Sequence, residues 1–191
     1  YSNEVKSPLS LILSAFASID DVDKYVTPYT NKRSQLFLID LGRGKDRMGG
    51  SGLDQTLSYT NHKSPNINDL DDLLNYYNFT QELIRKNLLN AYHDRSDGGL
   101  ITTLIEMAFV SNMSVDLKNV SKKSKIELIR FLFNEELGGI FAIDKKYEKE
   151  FIKLTRKYSL EAITHNIGNM TKKGKPMLKI TACNYSEPIS K

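Results

Sequence analysis

Apolar positions along the chain fall into short blocks separated by polar turns, and their spacing alternates between strand-like and helical. Residues 10–19 (SLILSAFASI) form an apolar run rich in β-formers and short for a helix, which predicts a buried strand. Asp20-Asp21 then caps a short helix with Val22, Tyr25 and Val26 on one face, stopped by Thr27-Pro28. Leu36-Phe37-Leu38-Ile39 reads as a second buried strand. From residue 68 to 89 the apolar positions Leu70, Leu73, Leu74, Tyr77, Leu83, Ile84 and Leu88 recur mostly at helical spacing, with Asn78-Phe79-Thr80 a candidate break between two helices. A short strand over 88–92 leads through a polar turn into a helix over 100–110. Beyond it the pattern predicts a strand at 114–117, a helix at 125–133, a strand at 140–143 and an amphipathic helix at 147–158 with Phe151, Leu154 and Tyr158 on one face. Strands at 163–167 and 177–180 follow, joined by Lys172-Lys173-Gly174-Lys175. Strands alternating with helices, together with strand pairs that have no helix between them, predict an α+β fold, a mixed α/β sandwich in which a mixed β-sheet is flanked by helices.

Composition narrows the function classes. A chain of 191 residues with 40% hydrophobic and 26% charged content suits one globular core, and no apolar run approaches the length of a bilayer-spanning helix, so no membrane partner is expected. The net charge of +4 comes from cations interleaved with acids, without zinc-finger spacing or an RNP-like motif, so no nucleic-acid partner is expected either. Cys183, the single cysteine, cannot form an internal disulfide and fits a reducing cytosol; it lacks a glycine-rich nucleophile turn and reads as structural. The chain begins at Tyr1 and suggests a piece of a longer protein.

The chemistry is concentrated in residues 91–100, AYHDRSDGGL. His93, Asp94, Arg95, Ser96 and Asp97 crowd a strand-to-helix turn, and Gly98-Gly99 allows backbone amides to approach an anion at a helix start. Asp94 and Asp97 would repel a bare phosphate, so the arrangement suits a hard cation between carboxylate and phosphate oxygens, for which magnesium nucleotide is the natural candidate. The structural alternative makes Asp97 an N-cap, pairs Arg95 with an acid and satisfies His93 in a core. Met48-Gly49-Gly50-Ser51-Gly52 is a second glycine-rich turn opening a helix; it reads as a plain turn or as a phosphate cradle, and lacks the lysine and spacing of a Walker loop. Glu135-Glu136 raises acid–base work or a second metal, against which stands a solvent-facing or domain-contacting helix end. Tyr76, Tyr77 and Phe79 suit a core better than a base-stacking platform, and His62 and His165 have no partner at metal-ligand spacing.

His93-Asp94-Arg95-Ser96-Asp97-Gly98-Gly99-Leu100 resembles the HDRSDGGL block in the second synthetase half of large, single-chain phosphoribosylformylglycinamidine synthases, members of the aminoimidazole ribonucleotide synthetase superfamily. Three further stretches resemble that domain in the same order and cover nearly the whole chain. They are Ser7-Pro8-Leu9-Ser10-Leu11 with Ser14-Ala15-Phe16-Ala17, then Leu38-Ile39-Asp40-Leu41-Gly42, then Leu132-Phe133-Asn134-Glu135-Glu136-Leu137-Gly138. The resemblance implies a synthetase C-terminal-type domain over residues 1–183, with 184–191 opening a linker toward a glutaminase domain. It implies a cytoplasmic purine-biosynthesis ligase and glutamine amidotransferase that converts formylglycinamide ribonucleotide, ATP and glutamine to formylglycinamidine ribonucleotide, ADP, phosphate and glutamate. By position, Asp94 would be a metal (Mg2+) ligand and Ser96 an ATP/ADP contact, at a site whose tightly held nucleotide is largely structural. The implied partners are upstream synthetase domains and a downstream glutaminase domain of the same polypeptide, so this stretch alone is expected to be inactive. An apolar face near residues 7–17 and 134–137 would receive the preceding domain. The alternative is a noncatalytic nucleotide-binding or domain-docking module of the same superfamily.

Overall fold

Residues 12–19, 21, 25–59, 62–118, 124–172, 176–180 and 185–188 are described by the computed structural model, the last group by its backbone alone. At its centre lies β1, Ser34–Asp40, which is apolar without interruption from Leu36 to Ile39. A strand of that kind needs cover on both faces, and side-chain alternation provides for it: Leu36 and Leu38 enter one core, Phe37 and Ile39 the other. On either side β1 pairs antiparallel with β4, Gly138–Ile143, and β5, Thr164–Thr171. Beyond β4 lies β2, Leu89–Asp94; beyond β5 lie β3, Ser114–Leu117, β6, Met177–Ile180, and β7, Tyr185–Pro188. The order is β2-β4-β1-β5-β3-β6-β7, and β3 and β6 run parallel while the other pairs are antiparallel.

Helices cover both faces of this mixed sheet. On one side α3, Gly99–Ser111, and α4, Lys125–Phe133, supply Leu100, Leu104, Met107 and Leu132. On the other, α2, Leu70–Arg85, and α5, Glu148–Lys157, supply Phe79, Leu83, Phe151 and Leu154. The five-residue α1, Gly52–Thr56, follows an N-cap at Ser51, whose side chain accepts from the Asp54 amide. This is the mixed sheet flanked by helices that the hydrophobic pattern predicts.

Two expectations fail. Residues 12–19 form no strand, and Ile12, Leu13 and Phe16 are more than four-fifths exposed. An apolar run becomes a buried strand only where a neighbour supplies ladder hydrogen bonds and cover. Here the Tyr92 amide on β2 donates to Thr27 O, so residue 27, and not this run, meets that strand. The expected break at residues 78–80 is also absent: α2 is continuous, with Phe79 packed edge-on against Phe141 and Phe151 and the Thr80 hydroxyl satisfied on Tyr76 O, so neither residue competes with the helix. Tyr76 and Phe79 are core residues as read, whereas Tyr77 is exposed. The short helix expected after Asp20-Asp21, most of the turn at 172–175, and Cys183 lie outside the described residues.

The α2 and α5 layer is tied by Glu82, whose carboxylate accepts from Lys157 Nζ and from the Tyr158 hydroxyl at 2.6 Å. The Lys157 hydrogen bond first, and Tyr158 second, hold the Glu82 carboxyl down at about 2. Because the folded state favours the charged form, this contribution to stability is complete above the ordinary glutamate pKa and declines as pH falls toward about 2. Acid unfolding of Glu82→Gln followed by circular dichroism should therefore show a shallower loss of stability below about pH 4.3 than wild type. Equal slopes for the two proteins would remove Glu82 from that role.

Candidate functional site

The end of the sheet at which β1 and β2 finish and β4 begins carries the chemistry. Register places Asp40 opposite Gly138 and Asp94 opposite Gly139, so two carboxylates flank the start of β4. Immediately before that start, residues 134–137 leave α4 and act as a polar hub. Asn134 Nδ2 donates to Asp46 Oδ1 at 3.0 Å. Glu135 Oε1 accepts from the backbone amides of Gly52 and Gly98, both at 2.8 Å. Glu136, whose side chain is 1% exposed, receives Arg47 Nε and Nη2, each at 2.6 Å, and the Arg47 amide at 3.0 Å. That hydrogen bonding raises the Arg47 pKa and keeps the guanidinium charged.

Arg95 closes the hub from the other side. Its guanidinium is fully buried, with Nη2 at 2.6 Å from Asp40 Oδ1 and Nε at 2.6 Å from Glu136 O, while its amide donates to Gly138 O. Asp40 is satisfied further by the amides of Gly42 and Gly44. A buried charge is tolerable only when paired and hydrogen-bonded; Asp40 pairs with Arg95, and Nε and Nη2 are hydrogen-bonded, while Nη1 has no partner among the described residues.

Against this fixed frame the Asp94 carboxylate is 67% exposed, and Ser96 and Asp97 are exposed beside it. No hydrogen bond among the described residues holds the Asp94 carboxylate; its Oδ1 stands 3.5 Å from His93 Nδ1. His93 itself points toward α3, where Nε2 meets Glu106 at 2.9 Å. Below Asp94, the Tyr76 and Tyr92 hydroxyls share a 2.8 Å hydrogen bond, and burial, with a smaller contribution from the Asp94 charge, raises both phenol pKa values. Among the described residues no three of His, Cys, Asp or Glu gather as a metal cluster. Magnesium, however, takes only one or two protein carboxylates when phosphate oxygens and water complete its octahedron, and a lone, exposed Asp94 fits that share.

Several sequence expectations need correction. Asp97 does not cap α3: Gly98 holds the N-cap position in the left-handed conformation, with no side-chain cap bond. The Gly98 and Gly99 amides do not present themselves to phosphate, since Gly98 N donates to Glu135 and Gly99 N to Ser96 O. The second glycine turn is likewise engaged, with Gly49 N donating to Lys63 O, Ser51 N to Met48 O and Gly52 N to Glu135. Of the Glu135-Glu136 pair expected as a solvent-facing or domain-contacting helix end, Glu136 is buried against Arg47, and Glu135 is only partly exposed, its carboxylate taken by the Gly52 and Gly98 amides. Of the expected apolar docking face, Ile12, Leu13, Phe16 and Leu137 are exposed while residues 134 and 136 are not. Arg95 does pair with an acid, although the partner, Asp40, lies 55 positions away. One pair was missed: His62 Nδ1 meets the buried Asp54 carboxylate at 2.8 Å beside a 440 Å³ groove lined by Met48, Leu53, Leu57, Ile126 and Ile129. Its sequence signal is weak, because a polar loop separates the two residues.

Residues 38–180 match the family described as AIR synthase related protein, C-terminal domain. The chain belongs to that family. Solved structures share the fold of this AIR synthase related domain. T. maritima PurL complexed with ATP superposes with a TM-score of 0.64 at 13% identity, over 88% of this chain and 27% of that one. Phosphoribosylformylglycinamidine synthase II from Thermotoga maritima gives 0.62 at 13% identity, over 88% and 27%. E. coli HypE, a hydrogenase maturation protein, gives 0.58 at 12% identity, over 87% and 52%. The chain thus spans 27% of the length of the PurL chains that it matches.

Since Arg95 and Asp40 are buried as a pair, removing one partner strands the other charge. Asp40→Asn and Arg95→Met should each destabilise the protein by about 3–5 kcal/mol in urea titration. The double substitution should cost less than the two single ones together, because no lone charge remains. Additive losses would show that the pair is not coupled.

Proposed function

We propose that this AIR synthase related domain belongs to a phosphoribosylformylglycinamidine synthase of the large single-chain type and supplies part of a magnesium–nucleotide site in its second synthetase half. The observation that carries the reading is an uncommitted carboxylate on a committed backbone. Asp94 is 67% exposed, yet the next residue, Arg95, is fully buried in its ion pair. The same turn carries Ser96, whose hydroxyl can donate one hydrogen bond to a phosphate oxygen. Support also comes from family membership and from the fold likeness to PurL complexed with ATP.

In this reading Asp94 provides one oxygen ligand and Ser96 a neutral contact to the nucleotide. Asp94 would hold the magnesium ion, whose contribution when bound would be to neutralise phosphate charge. The chain's own residues bind and orient: β2 fixes the height of Asp94, Arg95 locks the turn to the sheet, and α3 carries the turn into the core. Arg95 is too deeply buried to touch the nucleotide. Amide activation by ATP and ammonia supply from glutamine belong to the upstream synthetase and downstream glutaminase domains of the same polypeptide, which makes this domain inactive by itself. Acting on formylglycinamide ribonucleotide, ATP and glutamine, the assembled cytoplasmic ligase would yield formylglycinamidine ribonucleotide, ADP, phosphate and glutamate.

The test uses the full-length protein. Asp94→Asn removes the charge that faces the metal while keeping a similar shape, so co-purifying nucleotide should fall and the melting temperature should lose its dependence on added magnesium nucleotide. Ser96→Ala should move both in the same direction by less, since it removes one neutral hydrogen bond of roughly 0.5–1.5 kcal/mol. Wild-type nucleotide content and an unchanged ligand-dependent melting shift in Asp94→Asn would sink the assignment.

A further inference from the structure

We infer that Glu135 is the positioning residue of the Asp94–Ser96 turn, an inference that rests on the nucleotide reading of that turn. The sequence invites the idea that two glycine-rich turns, 49–52 and 98–99, each cradle phosphate. The structure shows another arrangement: the amides of Gly52 and Gly98 converge on one oxygen, Glu135 Oε1, at 2.8 Å each. A carboxylate oxygen thus fills, from within the chain, the place where an exogenous anion would have been expected, and it joins two turns that are 46 positions apart (98 minus 52).

The consequence for Asp94 and Ser96 follows from which backbone atoms are held. On the N-terminal side, the Arg95 amide donates to Gly138 O and its guanidinium is buried against Asp40. On the C-terminal side, Gly98 and Gly99 both have positive φ, +80° and +73°, which glycine adopts without strain but also leaves freely, so contacts must fix this end of the turn. Two contacts hold it. A Cβ on Gly99 would stand 2.6 Å from Asn134 O, so the helix start lies directly on the backbone preceding Glu135. The Glu135 carboxylate then takes the Gly98 amide with a charge-assisted hydrogen bond. Ser96 lies between these two anchors, and its carbonyl accepts from Gly99 N. Releasing Glu135 leaves this end of the turn held by the Gly99 packing alone and the other end fixed, so the Ser96 hydroxyl is less firmly placed relative to Asp94 while the sheet stays intact. Nucleotide phosphate, on this account, is held by side chains and metal on the outside of the turn and not by its amides.

The test compares full-length wild type, Glu135→Gln, Glu135→Ala and Asp94→Asn by calorimetric titration with magnesium ADP at a temperature where each is folded. Phe151→Leu serves as a control that destabilises the opposite core without touching the turn. Glu135→Ala should weaken binding by about twofold to tenfold, up to the worth of the single Ser96 hydrogen bond that it displaces. Glu135→Gln keeps an acceptor oxygen for both amides but no charge, so it should recover most of that loss, and Phe151→Leu should melt lower yet bind as wild type. Wild-type affinity in Glu135→Ala together with loss in Asp94→Asn overturns the positioning role and leaves the nucleotide reading standing. Wild-type affinity in both overturns the reading and this inference with it. Should Glu135→Ala fail to fold, Glu135→Met decides, since it fills similar space but offers the two amides no oxygen: weakened binding supports the role, and a dissociation constant equal to wild type overturns it.

Discussion

Charge burial at one end of the sheet is the constraint on which the rest of the structure depends. Asp40 and Glu136 lie almost wholly inside, and desolvating each carboxylate would cost several kcal/mol if it stood alone. Arg95 and Arg47 remove that cost, but only in one geometry. Arg95 must reach Asp40 and the carbonyls of residues 136 and 137 at once, and Arg47 must present both nitrogens and its amide to Glu136. Those requirements fix where β1 ends, where β2 ends and how the chain leaves α4 to start β4. The alternation of Leu36 and Leu38 with Phe37 and Ile39 already sets the register, and the charge-assisted bonds at 2.6 Å fix the strand ends within it.

The frame explains why an exposed site can be well defined. Loops that carry binding residues are ordinarily among the more mobile parts of a protein. Here the turn at 95–99 is fastened by a buried ion pair on one side and by the packing of α3 on the backbone of residues 132–134 on the other. Position therefore comes from buried groups and chemistry from exposed ones. The two sets are neighbours in the chain: β2 sends Tyr92 to one core and His93 toward α3, and Arg95, just beyond its end, turns inward between the exposed Asp94 and Ser96.

Much of the fold was legible in the sequence because its strands are covered on both faces and its helices on one. The uninterrupted Leu36 to Ile39 run and the spaced apolar positions of α5 could be read directly, and so could the mixed sheet with flanking helices. Residues 12–19 misled for a physical reason: hydrophobicity measures willingness to be covered, and the cover must come from some other element. The site was less legible. That Arg95 would meet an acid could be guessed, but that the acid is Asp40 depends on β4 lying between β1 and β2, which no local pattern encodes. The engagement of the Gly98 and Gly52 amides by Glu135 is invisible for the same reason, since three separate loops must converge before the bond exists.

Glycine-rich turns before helices are easily read as anion sites because their amides lack intrahelical partners. That reading omits a competitor: a carboxylate from the same chain, delivered at high effective concentration, satisfies such amides without any ligand. In the block from His93 to Leu100, the imidazole, the guanidinium and both glycines are occupied in this manner by Glu106, Asp40, Glu135 and the backbone of residues 132–134. Among the described residues the exposed side chains of the block that make no hydrogen bond are Asp94, Ser96 and Asp97, while the unpartnered His93 Nδ1 and Arg95 Nη1 are buried. A motif can thus be dense in polar residues because it must hold itself together, and its ligand-facing content is the part left over once every internal partner has been assigned. Among the described residues the remainder is two carboxylates and a hydroxyl with no lysine or arginine paired to them, a set that suits a phosphate ligand only when a metal ion accompanies it.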